Sequence, residues 1–483
     1  MTPARGVPRS FAHQVRAIVG PDWCHADASA RWAYSYDASL ARSAPDLVAL
    51  PANEDEIAHL VRLCLQYRVP YIARGAGTGI AGGAVPIAGG LVIALARLKR
   101  ILEINEDDLT AVVEPGVVNL ELAHAVEPRG LAFVPDPSSQ KACTIGGNVA
   151  NNSGGPHCLA YGVTAHHIRG VRAVLPDGRI ADLGSRCSDS PGLDLAGLFV
   201  GSEGTLGIAT QILCRLVPRR ESVSTLLAAF ARLEDAALAV TRIIASGIIP
   251  AALEMLEGAI IRAVEESVHA GYPIDAAAVL LVEVEGLRES LPELEARILA
   301  ELRSCSATTI RQATSDAERA RLWAGRKGAL GAAARLKPRY YLQDGVVPRT
   351  QLVPVLTRIA AIARENDVQI VNVFHAGDGN LHPLVLFDPA DAAETRRAAH
   401  ASEAIVRACV DAGGTLSGEH GIGLEKNNYM EWIFSKTDLE VMDRVRRALD
   451  PHALANPHKV LPSPASCHEI LAPPDLSAGG LWV

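Results

Sequence analysis

The sequence predicts an α+β protein of two domains, the second an antiparallel sheet covered by helices, and three observations carry that expectation. At 483 residues the chain is several times the usual domain size, so more than one core is expected. Its first part spaces short apolar strands between three glycine-rich loops. From about residue 222, strand-like and helical stretches alternate in the manner of a sheet with helices packed on it. The boundary is placed at 220. The expected division is an N-terminal helical lead over 1–40, a first domain over 41–220, a second over 221–463 and a tail over 464–483.

Element by element, Asn53-Glu54-Asp55-Glu56 makes a capping-box-like start, and Ile57, Leu60, Val61, Cys64 and Leu65 follow at helical spacing. The apolar run VPYIA (69–73) reads as a buried strand leading into RGAGTGIAGG (74–83). Strands follow at 91–95 and 111–116, then a helix from Asn119 and a hairpin over 171–184 whose turn is Pro176-Asp177-Gly178. In the second half, strands are expected at 224–230, 278–286, 339–345 and 369–374. Helices are expected at 232–246, 291–304, 316–335, 351–366 and 390–412.

Composition excludes several classes. Apolar residues make up 49%, which suits a folded globular chain. A net charge of -8, a pI near 6.0 and no basic run argue against nucleic acid as a partner, since neutralising phosphates needs clustered Lys and Arg. The opening MTPARGVPRSFAHQV lacks the apolar core of a signal peptide, and no run of about 18 apolar residues spans a bilayer. A cytoplasmic protein with no transmembrane segment is expected. Nine scattered cysteines without C-x-x-C suit reduced thiols and provide no iron–sulfur cradle, so any such cluster belongs to another subunit.

Gly77, Gly79 and Gly82 match G-x-G-x-x-G after a strand, but Gly83, Pro86, Gly89 and Gly90 prevent the helix that a Rossmann site needs. Backbone N–H groups of such a loop can still converge on a diphosphate. The small-residue stretches DPSSQKACTIGGNVANNSGG (136–155) and FVGSEGTLGIAT (199–210) add two more loops, which together suit a long ligand with a diphosphate waist and flat rings.

These loops resemble the FAD-binding loops of the vanillyl-alcohol oxidase/p-cresol methylhydroxylase flavoprotein family. The resemblance implies a two-part FAD-binding domain of that type. It implies that Arg74, Gly75, Ala76, Gly77, Thr78 and Gly79 wrap the pyrophosphate. Pro135, Asp136 and Ser138 with Thr144, Gly146, Gly147 and Asn148 then line the flavin and its chain, joined by Asn152, Gly155 and Asn456, and Ile208 contacts the adenine side. The context of His157 and Cys158 resembles the noncovalent branch, so unlinked FAD is expected.

In the second half, FHAGDGNLHP places His375 and His382 on either side of a turn, where a hairpin would bring two imidazoles to one point. LSGEHGIGLEK (416–426) adds Glu419 beside His420 among glycines. His375, His382 and Glu419 make the ligand mix of a catalytic divalent site, for which zinc, manganese and iron all serve. His420 is left free as a general base, and Arg326 in LWAGRKGAL is the candidate cation for a substrate carboxylate. The set suits oxidation of a 2-hydroxy acid: a cation acidifies the hydroxyl, the base takes its proton, and a hydride leaves to the flavin.

FHAGDGNLHP and GEHGIG resemble the metal and base motifs of FAD-linked 2-hydroxy-acid dehydrogenases. SGIIPAALEML (246–256), HAGYPIDAAA (269–278), LWAGRKGAL (322–330) and YYLQDGVVPR (340–349) narrow the resemblance to the FAD-binding catalytic subunits of bacterial glycolate oxidases, from about residue 30 to 463. That family implies glycolate as substrate, a non-oxygen electron acceptor, and a complex with a second flavin-domain subunit and an iron–sulfur subunit, through which the protein would sit peripherally at the inner membrane. Where the family's closing turn has Gly, this chain has His458. D-Lactate dehydrogenase of the same architecture is the alternative, a metal-dependent hydrolase a reading from a different class, and a noncatalytic FAD-binding scaffold subunit a third.

Overall fold

A computed structural model describes residues 6–187 and 192–463; the predicted tail over 464–483 and the first five residues of the lead lie outside that range. Among the described residues the first domain holds two larger sheets and a two-stranded pair, Leu131–Ala132 with Val217–Pro218. In the smaller of the larger two, Leu47–Ala49, Leu91–Ala94 and Tyr71–Arg74 run parallel, and Cys24–His25 pairs antiparallel at its edge. The helix Glu54–Tyr67, started by the Asn53 side chain accepting from Glu56 N–H, lays Ile57, Leu60, Val61 and Cys64 against this sheet. The second sheet is antiparallel and joins Ile101–Asn105, Thr110–Val113, Ile208–Arg215, Ile168–Val174 and Ile180–Gly184 in that order.

The second domain is built on a nine-stranded sheet of antiparallel pairs. Helices cover both faces: Leu233–Ala245, Leu291–Ser304, Leu352–Glu365 and Ala392–Asp411 on one side, Gly258–Val268 and Asp316–Ala333 on the other. Each expected helix and strand of this half has a counterpart. Not foreseen were the strand Ala252–Glu257, its following helix Gly258–Val268, the strand Thr309–Gln312 and the final helix Lys436–Leu449. The strand Ala252–Glu257 is only six residues long, too short for a period to declare itself.

Two of the glycine-rich loops carry regular structure. Ile145–Asn151 is a helix whose Thr144 cap accepts from Gly147 N–H, and Ile208 opens an eight-residue strand. Beyond the last helix the chain returns to the first domain. Ala455 pairs parallel with Tyr71 at the edge of the small sheet, Asn456 Nδ2 donates to the Gly83 and Glu203 carbonyls, and Lys459 Nζ donates to Val85 O. In the closing turn His458 takes φ 65°, the left-handed conformation that glycine adopts without cost.

The domains are also joined by a polar cluster. His157 Nδ1 lies 3.0 Å from Asp136 Oδ1, its Nε2 lies 3.4 Å from Glu283 Oε1, and the ring stacks on Trp323. Glu283 further accepts from Arg319, Trp323 Nε1 and Thr225 Oγ1. Burial disfavours charge on His157, but Asp136 and Glu283 outweigh it and raise its pKa to about 10. A pKa raised by folding stabilises fully below the unfolded value, about 6.5, and that stabilisation is lost as pH rises through the folded value. The melting temperature is therefore expected to decline between pH 7 and 10, and a His157→Gln variant to show a weaker decline; equal slopes in thermal scans would refute it.

Candidate active site

The convergence of the two histidines follows from register. Gln369–His375 pairs antiparallel with Pro383–Phe387, Asn372 opposite Pro383 and His375 opposite Asn380. His382 therefore sits one diagonal from His375 on the same face, within reach of a shared point. Their ring centroids lie 4.9 Å apart at 83°. The glycines of the turn serve protein neighbours: a Cβ on Gly379, at φ +79°, would stand 2.1 Å from Val347 O, and one on Gly377 would stand 2.5 Å from Leu159 Cδ2. The same holds in GEHGIG, where a Cβ on Gly418 would meet Asn380 and one on Gly423 would meet Ala81 O at 1.9 Å.

Glu419 Oε1 reaches both predicted partners, 3.2 Å from His375 Nε2 and 3.4 Å from His382 Nε2. His420 stacks on His382 with centroids 4.9 Å apart. Its Nε2 is 3.6 Å from Glu419 Oε1. Asp344, unforeseen from sequence, closes the group: its Oδ1 lies 3.3 Å from His382 Nε2, and its Oδ2 accepts from the Ser417 hydroxyl and the N–H groups of Gly418, Glu419 and His420. Donor atoms of Asp344, His382, Glu419 and His420 all lie within 4.8 Å of one another.

Electrostatics favour a cation here. Burial opposes ionisation of Glu419, yet His375 holds its carboxyl well below the usual range; burial likewise opposes Asp344, which His420 and Lys426 hold low. Burial pushes His382 down to about 4 against the pull of Asp344, leaving a neutral ring with a lone pair to give. His375 is held well above its ordinary value, against burial, by Glu254 and Glu419. Two carboxylates that demand positive charge at one point accept it equally from a divalent ion. The group that could hold a metal is thus Asp344, His382, Glu419 and His420; of the predicted ligands His382 and Glu419 belong to it, while His375 touches it through Glu419 and His420, expected to be free, is one of its donors.

Glu254 also escaped the sequence reading. It lies directly across the strand pair from His375 and accepts from Nδ1 at 2.7 Å, which fixes the tautomer and points Nε2 at Glu419. Its other oxygen accepts from Arg326 Nε at 2.6 Å, in a pair buried on both sides. The one available signal was a lone acid inside the apolar run PAALEML. Arg326 reaches the cavity wall with its guanidinium tied to Glu254 along one edge; Lys327 lines the wall beside it, 3.8 Å from Asp136.

Of these residues, Arg326, Lys327, His382, Glu419 and His420 open onto a cavity of about 500 Å³ between the domains. Among the predicted cofactor residues, Gly75, Ala76, Gly77, Thr78, Gly79, Ser138, Thr144, Gly146, Gly147, Asn148 and Ile208 line it together with Arg326, His382, Glu419 and His420. The others support the wall from behind. Arg74 Nη1 donates to Ala84 O, Pro135 O accepts from Asn119, Asp136 pairs with His157, and Asn152 Oδ1 accepts from Ala165 N–H. Gly155 packs on the Asp136 backbone, and Asn456 ties Gly83 to Glu203.

The residues fit a long cofactor. A Cβ on Gly75 would stand 2.5 Å from Thr144 Oγ1, and one on Gly146 would stand 2.6 Å from Pro115 Cβ, so only glycine keeps these loops together. Ser202 Oγ, on a cavity-lining residue, is buried without a hydrogen-bond partner among the described residues, as expected of a polar group that a ligand satisfies.

This architecture defines an FAD-dependent oxidoreductase, and the chain belongs to the FAD-linked oxidases. Residues 45–184 match the FAD binding domain of such proteins, and residues 219–460 match the domain described as FAD linked oxidases, C-terminal domain. The chain is a homologue of the glycolate oxidase subunit GlcD. It is 46% identical to that of Escherichia coli strain K12 over 89% of this chain and 86% of the relative, and 40% identical to that of Bacillus subtilis over 94% and 97%. A D-lactate dehydrogenase of Anaerostipes hadrus is 31% identical over 87% and 90%. In fold it is similar to p-cresol methylhydroxylase, with a TM-score of 0.78 at 15% identity over 94% of this chain and 98% of that one. The 4-ethylphenol oxidase of Gulosibacter chungangensis gives 0.78 at 19% over 95% and 99%. Among the described residues, no helix is long and apolar enough to cross a membrane.

Proposed function

We propose that the protein oxidises a small 2-hydroxy acid, glycolate in the first place, to the 2-oxo acid, and passes the electrons to an acceptor other than oxygen. The observation that supports this most is the meeting of His382, Glu419 and His420 at the wall of the cavity that the glycine-rich loops line, with His375 behind them against Glu419. When bound, noncovalent FAD supplies the hydride acceptor, and a divalent ion held by His375, His382 and Glu419 supplies Lewis acidity toward the substrate hydroxyl. His420 takes the hydroxyl proton. Arg326, with Lys327 beside it, binds the carboxylate and so orients the Cα–H bond, while the buried setting keeps water out. The GlcD relatives are named as subunits. A second flavin-domain subunit and an iron–sulfur subunit are proposed as partners, because the chain's cysteines form no cluster motif.

Anaerobic mixing of the yellow protein with glycolate, and separately with D-lactate, tests the assignment. Bleaching by glycolate with little by D-lactate is the expected result; the reverse makes the protein a D-lactate dehydrogenase. Absence of bleaching by either in the presence of the partner subunits overturns the dehydrogenase reading.

A further inference from the structure

The loop that carries Glu419 and His420 is held from two domains at once. From its own domain Asp344 Oδ2 accepts from the Ser417 hydroxyl and three successive backbone N–H groups. From the FAD-binding domain, Glu203 Oε1 accepts from Ile422 N–H at 2.7 Å and Gly423 N–H at 3.0 Å, and Asn151 Nδ2 donates to the His420 carbonyl at 2.9 Å. Leu424 N–H adds a bond to Ala81 O. His420 is thus bracketed by contacts that its own domain does not supply.

Glu203 is an expensive residue to keep here. It is 5% exposed and takes φ +52°, which costs a residue with a Cβ. Its Oε2 has no partner among the described residues, and burial raises its pKa in spite of the two N–H groups on Oε1. A Cβ on Gly421 would stand 2.8 Å from Oε1, so the loop has been cleared to receive the carboxyl. What Oε1 does gain is two N–H groups of the loop that carries the base, whose proton transfer depends on placement to tenths of an ångström.

We infer that Glu203, with Asn151, is a positioning residue that lets the FAD-binding domain set the place of the His420 loop over the cavity. The inference rests on the reading of His420 as base. It assigns no contact with substrate to either residue: they act through the backbone of residues 420–423.

The holoenzyme tests it. Glu203→Ala is expected to lower kcat about ten- to a hundredfold with KM little changed, as a misplacement of about 1 Å does, and to speed hydrogen exchange at the amides of 420–424. Flavin content, read from the visible spectrum, should stay that of the parent. Glu203→Gln keeps an acceptor oxygen for both N–H groups and is expected to restore kcat and protection. Should Glu203→Ala fail to fold, Asn151→Ala removes the other bond and is expected to slow kcat by about tenfold. Parent-like kcat with lost protection, a Gln variant as impaired as Ala, or loss of flavin with the Ala substitution would each overturn the inference. A His420→Asn variant in the same series separates the two ideas: if it keeps parent kcat, the base assignment fails whatever Glu203 does.

Discussion

Replacing His420 by Asn is expected to leave a folded, yellow protein whose flavin is reduced by substrate about 10²- to 10⁴-fold more slowly, the range a positioned general base contributes. The ring is only partly buried, stacked on His382, and no described residue uses it to bridge the domains, so folding should survive the change. Stopped-flow reduction of the variant by substrate gives the reading. Parent-like reduction would move the proton transfer to another group.

Glu254→Ala is expected to destabilise the protein by about 3–5 kcal/mol, the cost of removing one partner from a buried ion pair. The change strands Arg326, 3% exposed, and takes from His375 the acceptor that orients it. Two losses should follow together. The melting temperature falls, and, on the proposed role of His375 as a ligand, affinity for a divalent ion drops by about 10- to 100-fold, as it does when the group behind a metal-ligating histidine is removed. Calorimetry and metal analysis of the purified variant check the pair; an undisturbed metal content would show that Glu254 serves Arg326 alone.

The sequence made legible what periodicity and glycine spacing can express. The helices at Glu54–Tyr67, Leu291–Ser304 and Ala392–Asp411 were readable because their apolar faces recur over three turns or more. His375, His382, Glu419 and His420 were readable because two short motifs hold them, and the fold brings these together from 44 residues apart. Asp344 and Glu254 were not, although each is wholly buried among the site's histidines. A single acid in an apolar strand declares its role only when cross-strand register is known, and register is a property of pairing rather than of local sequence. The glycines of GEHGIG approach Glu203, Ala81 and Asn380, a set drawn from both domains that no local pattern encodes.

The return of the C-terminal segment has a consequence for biosynthesis. Tyr71 finds its last strand partner in Ala455, and Gly83 its amide partner in Asn456, 373 residues further along the chain. A ribosome making this protein exposes the whole FAD-binding lobe long before those partners emerge, so the lobe must wait, with one sheet edge open, through the synthesis of the entire second domain. The small sheet and the Gly83 loop are then completed only after residues 455 and 456 have emerged, and a chain stopped short of residue 455 is expected to keep that sheet edge open.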